Sequence, residues 1–210
     1  MMATIWERKT AVENFVRDKI VNLQRMYCTE GENSTSSRAT LAILRRGKFL
    51  SPWQGVGDLF LESIFDDWDE ELLGKIRMDS KEMESIRAAL QLYALHQQSL
   101  SVGVYSAENG SSFGEVCFKA ALDDLEKQKA IRRRMAFTDS ARSISVSISG
   151  IRAIISLIKG SGSPVRLNYS ALAGDIYLLQ FPSMKKGVSQ RWAESYSRAK
   201  YGYSKNNKRK

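Results

Sequence analysis

The sequence predicts an all-α fold of two helical bundles in one chain. Apolar residues recur at intervals of three and four along most of the 210 residues, the spacing of a buried helix face. Only three prolines are present to interrupt helices. We expect an N-terminal helical domain at residues 1–108, a basic C-terminal helical domain at 109–203 and a disordered basic tail at 204–210.

Positive charge is concentrated in the second half of the chain. Residues 1–104 carry 13 basic and 15 acidic side chains, a net charge of −2. Residues 105–210 carry 19 basic and 8 acidic side chains, a net charge of +11. A charge excess confined to one half indicates a polyanionic partner for that half. The polar segment 104–112, where the charge changes, is the best domain boundary.

The first half begins with a helix predicted at about residues 4–27, followed by a polar loop at 30–37. A short helix is predicted at 38–46. Its Arg38 and Arg45 are seven residues apart and therefore lie near one face, about 10 Å apart along the axis. That separation suits two neighbouring phosphates, although most such pairs are simply solvated. Arg46 and Lys48 beside them favour the functional interpretation.

Two more helices are predicted before the domain boundary. An apolar stripe spans 60–72, and a second helix, capped by Asp79 or Ser80, runs to about Gln97. Five carboxylates at 66–71 flank Trp68. Such a cluster is typical of a solvated acidic face, and a metal or acid/base site is the less common alternative.

The second half carries the most basic segment of the sequence, 126–142. An apolar stripe of Phe118, Leu122 and Leu125 predicts a helix that leads into its arginines, and Thr138 is the predicted N-cap of the next helix. Residues 143–149 alternate serine with isoleucine or valine, which also fits a strand. The longer stripe to Ile158 fits a helix, and we predict a helix.

The last helices are predicted around Tyr169–Leu179 and at about 188–201. Trp192 and Tyr196, four residues apart, should pack inward together, which leaves Arg191 and Arg198 on another face.

No catalytic or metal-binding pattern accompanies this charge. His96 is the only histidine, and Cys28 and Cys117 are isolated, so we expect no enzyme activity, no bound metal and no cofactor. The two cysteines fit a reducing setting, and neither a secretory signal nor a membrane-spanning run is expected. A cytoplasmic location is the prediction.

Several segments, in order, resemble the CasB family, the small subunit of the type I-E CRISPR surveillance complex Cascade. They are RATLAILRRGK at 38–48, LQLYALHQQ at 90–98, SFGEVCFKAALDDL at 112–125, IRRRMAFTDSAR at 131–142, LNYSALAGDIYLL at 167–179 and SQRWAESYSRAKY at 189–201. Each segment is unremarkable alone. Their order and spacing over about 165 residues carry the resemblance.

The resemblance implies an all-helical fold and a non-catalytic, nucleic-acid-binding role in antiviral defence. It implies CRISPR RNA, both target DNA strands, the backbone and large subunits of Cascade and a second copy of the chain as partners. The family helps to hold the guide–target hybrid and the displaced strand of the R-loop. The candidate nucleic-acid-binding residues are Arg38, Arg45, Arg46, Lys48, Lys129, Arg132, Arg133, Arg134, Arg142, Arg152, Arg191 and Arg198. We expect them to converge on a shared groove.

Two other functions fit parts of the sequence. A free-standing helical DNA- or RNA-binding regulator would explain the charge, although no compact helix-turn-helix with a base-reading helix is evident. A metal-dependent nuclease could use Asp66, Asp67 or Asp69 with Mg²⁺.

Overall fold

The computed structural model describes residues 3–29, 32–46, 65–77, 79–122, 124–162 and 165–207. Helices dominate these residues, and no β-strand occurs among them, which confirms the all-α prediction. The helices are α1 Ile5–Cys28, α2 Glu32–Arg46, α3 Glu70–Leu73, α4 Lys81–Gln97, α5 Phe113–Lys119, α6 Leu125–Ser140, α7 Ile144–Lys159, α8 Tyr169–Leu179 and α9 Pro182–Asn207.

Two compact units divide the chain. The first comprises Met1–Tyr105 and Tyr169–Tyr177, and the second comprises Ser106–Asn168 and Leu178–Lys210. Most of α8 therefore belongs to the first unit, whereas the predicted domains placed it in the second. The chain returns to the first unit at Tyr169 after forming part of the second, and the order of the sequence alone does not show this.

The first unit is built on α1 and α4. Helix α1 starts with a capping box, in which the Thr4 hydroxyl accepts from the Glu7 amide and the Glu7 carboxylate accepts from the Thr4 amide. Val12, Val16 and Ile20 in its apolar stripe are fully buried. The Ser80 hydroxyl caps α4 by accepting a hydrogen bond from the Met83 amide. Of the two predicted caps, Asp79 and Ser80, the second is therefore the cap. Helix α2 begins at Glu32, so the predicted loop at 30–37 is wrong for residues 32–37.

Tyr169 explains why the start of α8 belongs to the first unit. Its ring packs edge-on against Tyr93, with centroids 5.6 Å apart, and its hydroxyl is 2.9 Å from Nδ1 of buried His96. Nearby in the same unit, buried Glu82 accepts from Arg8 at 2.9 Å and from the Tyr177 hydroxyl at 3.2 Å. The buried Glu82 carboxylate is thus paired with a cation and a hydroxyl.

The second unit is organised by close contact of α5 with α9. A Cβ atom at Gly114 would lie 2.8 Å from the Tyr196 backbone nitrogen and closer still to the Trp192 carbonyl oxygen. The absence of a side chain at Gly114 therefore lets the two helices meet. Phe113 packs on Trp192 with ring centroids 4.5 Å apart, and Phe118 packs edge-on against Tyr196 at 5.6 Å.

Helices α6 and α7 meet at a second small residue. Gly150 lies against Thr138, whose hydroxyl donates to the Arg134 carbonyl oxygen at 2.9 Å. Thr138 is therefore buried in the last turn of α6, and its predicted role as an N-cap is wrong. Ser143 caps α7 by accepting from the Val146 amide, and this helix runs through the segment that also fitted a strand.

Candidate nucleic-acid interface

Helix α6 presents cationic side chains to solvent on one part of its circumference. Lys129, Arg132 and Arg133 are exposed, whereas Arg134 is half-buried and donates to the Ala130 carbonyl oxygen at 3.3 Å. Three successive helical residues span about 200°, so Arg132–Arg134 cannot all face one way. The Lys129 ammonium forms an ion pair with the exposed Glu126 carboxylate, with 2.7 Å between Nζ and Oε1.

The start of α6 differs from the prediction. Leu125 is 72% exposed rather than part of a buried stripe with Phe118, because α5 ends at Lys119 and a new helix begins at Leu125. The Asp124 carboxylate caps this new helix by accepting from the Lys127 amide at 2.8 Å. The chain changes direction between Lys119 and Leu125, so the arginines of α6 lie on a helix separate from α5.

The link between α6 and α7 carries Arg142, which is exposed. The preceding residue, Ala141, is buried, and its carbonyl oxygen accepts a hydrogen bond from the Lys185 ammonium at the start of α9. This bond ties the link to α9 within the second unit. Arg152, in the middle of α7, is half-buried.

Helix α9 presents Arg191 and Arg198 to solvent. Trp192 and Tyr196 are 2% and 5% exposed, so they anchor the helix inward as their spacing predicts. The helix begins at Pro182 and continues to Asn207. Residues 204–207, expected in a disordered tail, are therefore helical.

The first unit holds the remaining described candidates on α2. The Arg38 guanidinium lies 5.7 Å from the centroid of the Tyr27 ring, a cation–π distance, and its side chain is exposed. Arg45 is half-buried and Arg46 is exposed. Lys48 lies outside the described residues. The sequence offered no signal for this contact with Tyr27, the last residue of the helix predicted at about 4–27.

Two carboxylates of the acidic segment make structural contacts. The Asp69 carboxylate caps α3, and Asp67 forms an ion pair with Lys19. Across the described ranges, no group of three histidine, cysteine, aspartate or glutamate side chains is arranged to hold a metal ion. The same ranges contain no helix long and apolar enough to cross a bilayer.

These features define an all-helical protein whose second unit exposes arginines on α6, α9 and the α6–α7 link. Residues 40–196 match the family model described as CRISPR-associated protein Cse2. The chain belongs to this family, which confirms the resemblance drawn from the sequence, and the family indicates a subunit of a CRISPR Cascade complex.

A crystal structure of CasB from Thermobifida fusca has the same fold. It superposes with a TM-score of 0.65 at 22% identity, covering 90% of this chain and 97% of that one. None of the curated proteins matches the chain.

Proposed function

We propose that this chain is the non-catalytic, nucleic-acid-binding small subunit of a type I-E Cascade complex. In this role it stabilises the guide RNA–target DNA hybrid and the displaced DNA strand of the R-loop. Its partners are the CRISPR RNA, both DNA strands, the backbone and large subunits, and a second copy of itself, in the cytoplasm.

The exposed arginines around the end of α6 carry this proposal. Arg132, Arg133 and Arg142 are all exposed, and none forms an ion pair within the described part of the chain. Arginine without a carboxylate partner retains its guanidinium donors for phosphate oxygens. The +11 charge of residues 105–210 adds a long-range attraction for a polyanion.

The arrangement favours binding to the phosphate backbone rather than reading of sequence. Arg133 follows Arg132 directly, and Arg142 lies on the next link, so the cations are spread along the surface instead of lining one face of a recognition helix. Binding should therefore be nearly independent of sequence and steeply dependent on salt. This behaviour suits a subunit that holds strands whose sequence is selected by base pairing with a guide.

The salt dependence of binding tests the proposal on the isolated protein. The affinity for single-stranded DNA should fall with a log–log slope of about −0.7 for each neutralised phosphate. Replacing Arg132, Arg133 and Arg142 with alanine should flatten this slope by about 0.7 for each arginine that contacts a phosphate. Folding should be retained, since exposed substitutions usually change stability by less than about 0.5 kcal/mol each.

The matched control replaces the C-terminal cations Lys205, Lys208, Arg209 and Lys210 with alanine. It removes four positive charges, one more than the triple variant, and should affect binding less. If the control abolishes binding and the triple variant does not, the affinity belongs to the C-terminal segment and the proposal for the structured arginines is wrong.

A further inference from the structure

We propose that Lys185 of α9 is a positioning residue that holds Arg142 in place for contact with a phosphate of the bound strand. The inference rests on the nucleic-acid-binding function proposed above and adds to it a residue that the sequence did not single out. The Lys185 ammonium donates a hydrogen bond to the carbonyl oxygen of Ala141, the residue that immediately precedes Arg142. Both partners of this bond and Arg142 belong to the second unit.

The link between α6 and α7 is very short. Helix α6 ends at Ser140 with Ala141 as its C-cap, and α7 begins after its N-cap, Ser143. Arg142 is therefore the single residue between two caps. Its side chain is exposed, whereas Ala141 is buried. The direction in which Arg142 leaves the surface therefore depends on how the backbone on either side of it is held.

Side chains from two neighbouring helices hold this part of the backbone. Carbonyl groups at the end of a helix lack partners within it, and a nearby cation is favoured there by the helix dipole. Helix α6 has no basic residue in its last turn. The Ser147 hydroxyl of α7 donates to the Thr138 carbonyl oxygen, and Lys185 of α9 donates to the Ala141 carbonyl oxygen. Lys185 thus supplies the cation that the end of α6 lacks.

The position of Lys185 is unfavourable for its own helix. Lys185 lies near the start of α9, whose first turn contains no acidic residue, and the positive end of the helix dipole opposes a cation there. Lys186 carries the same charge but is exposed, whereas Lys185 is half-buried. A residue that breaks a local rule of helix formation usually serves a purpose outside that helix. The bond to Ala141 is such a purpose.

Holding the backbone next to Arg142 has a consequence for binding. A guanidinium binds phosphate oxygens through hydrogen bonds of defined direction. Ordering a long side chain and the backbone that carries it costs free energy on association, and a group that is held in place beforehand loses less. Lys185 therefore increases the affinity through Arg142, without contacting the strand.

The affinity of the full chain for a deoxythymidine oligomer at fixed salt tests this role. Lys185→Met removes the ammonium group and keeps an unbranched side chain. Lys186→Met is the matched control, because it removes the same charge from the neighbouring, exposed position. Lys185→Met should weaken binding about threefold to tenfold more than Lys186→Met, the range for one lost hydrogen bond. This excess should not be larger than the whole effect of Arg142→Ala.

Combined substitutions show whether Lys185 acts through Arg142. In the Arg142→Ala background, Lys185→Met should weaken binding no more than Lys186→Met does, because the arginine that Lys185 positions is gone. In the Arg132→Ala background the full excess should remain. Lys185→Arg keeps the charge and the donors and should restore most of the affinity.

A merely structural contact predicts a different pattern. It would lower the melting temperature of Lys185→Met and weaken binding equally with and without Arg142, and this result would overturn the proposal. Equal affinities of Lys185→Met and Lys186→Met would also overturn it. If Lys185→Met fails to fold, Lys185→Gln, which is polar and neutral, takes its place in the same comparison.

The outcomes also separate this proposal from the function on which it rests. If the wild-type chain does not bind the oligomer, the nucleic-acid-binding function is refuted and the role of Lys185 with it. If the wild type binds and the effect of Lys185→Met does not depend on Arg142, only the positioning role is refuted.

Discussion

Replacing Gly114 with alanine tests the close contact that holds α9 and its arginines in the second unit. The new methyl group would meet the Trp192 carbonyl oxygen and the Tyr196 nitrogen, the latter at 2.8 Å, closer than real Cβ atoms approach other atoms. Both are backbone atoms, so no side-chain rotation can relieve the overlap. Helix α9 must withdraw from α5, and the packing of Phe113 on Trp192 and of Phe118 on Tyr196 must loosen.

The expected loss of stability follows from two opposing contributions. Inserting a methylene into a packed interior costs about 1–3 kcal/mol of stability. The cost of Gly114→Ala should be near the upper end of this range, because the new methyl group meets backbone atoms that cannot rotate away. Alanine favours the helical conformation over glycine by roughly 0.5–1 kcal/mol, which offsets part of the cost. The net loss is about 2 kcal/mol, equivalent to a fall of roughly 4–8 °C in the melting temperature of a protein of this size.

Thermal unfolding followed by circular dichroism measures this loss, and Gly202→Ala is its matched control. Gly202 also lies in a helix, but a Cβ atom there would have no neighbour within 4 Å. The control should therefore leave the melting temperature unchanged or raise it slightly. If Gly114→Ala is as stable as Gly202→Ala, α5 and α9 do not meet as described.

Two further predictions concern buried polar groups of the first unit. Glu82→Ala should lower the free energy of unfolding, measured in urea, by somewhat less than the ~3–5 kcal/mol typical of a broken buried ion pair. The loss is smaller because the Arg8 side chain is 30% exposed and can rehydrate. An unchanged urea midpoint would contradict the buried pairing. Burial raises the pKa of Tyr93, Tyr169 and Tyr177 above the ordinary value of 10.0, so these phenols stay protonated in the folded chain while the unfolded chain ionises above about pH 10. Stability should therefore fall as the pH rises beyond about 10, by about 1.4 kcal/mol per pH unit for each phenol, and a flat urea midpoint between about pH 9 and pH 11 would refute their burial.

Long apolar stripes were sufficient to predict most helices. Residues 143–149 alternate like a strand, but the stripe continues to Ile158, and the helix buries Ile148, Ile151, Ile155 and Ile158 completely. The intervening serines are explained by two local roles. Ser143 caps the helix, and buried Ser147 donates to the Thr138 carbonyl oxygen.

Errors arose where distant contacts decided the local structure. Thr138 has the side chain of an N-cap, yet its hydroxyl equally satisfies a carbonyl one turn earlier, and contact with Gly150 fixes it inside α6. Leu125 matched the spacing of a buried stripe, but the chain turns before it and exposes it. Neither outcome can be read from neighbouring residues alone.

The candidate site was predictable in its chemistry but not in its arrangement. The charge imbalance and the arginine clusters are visible in the sequence. The groove lined by α6 and α9, by contrast, depends on how the two helices pack, since both contribute to its wall. The division of the candidates between two units also emerges only from the fold, with Arg38, Arg45 and Arg46 in the first.

The most direct test of the central claim is protection of the displaced DNA strand in a reconstituted Cascade complex. Complexes carrying the wild-type chain or the Arg132→Ala, Arg133→Ala, Arg142→Ala variant would be bound to a matched target and probed with a reagent specific for unpaired bases. The account predicts intact assembly, greater reactivity of the displaced strand and a shorter-lived R-loop with the variant. Unchanged protection and lifetime in a fully assembled variant complex would contradict it.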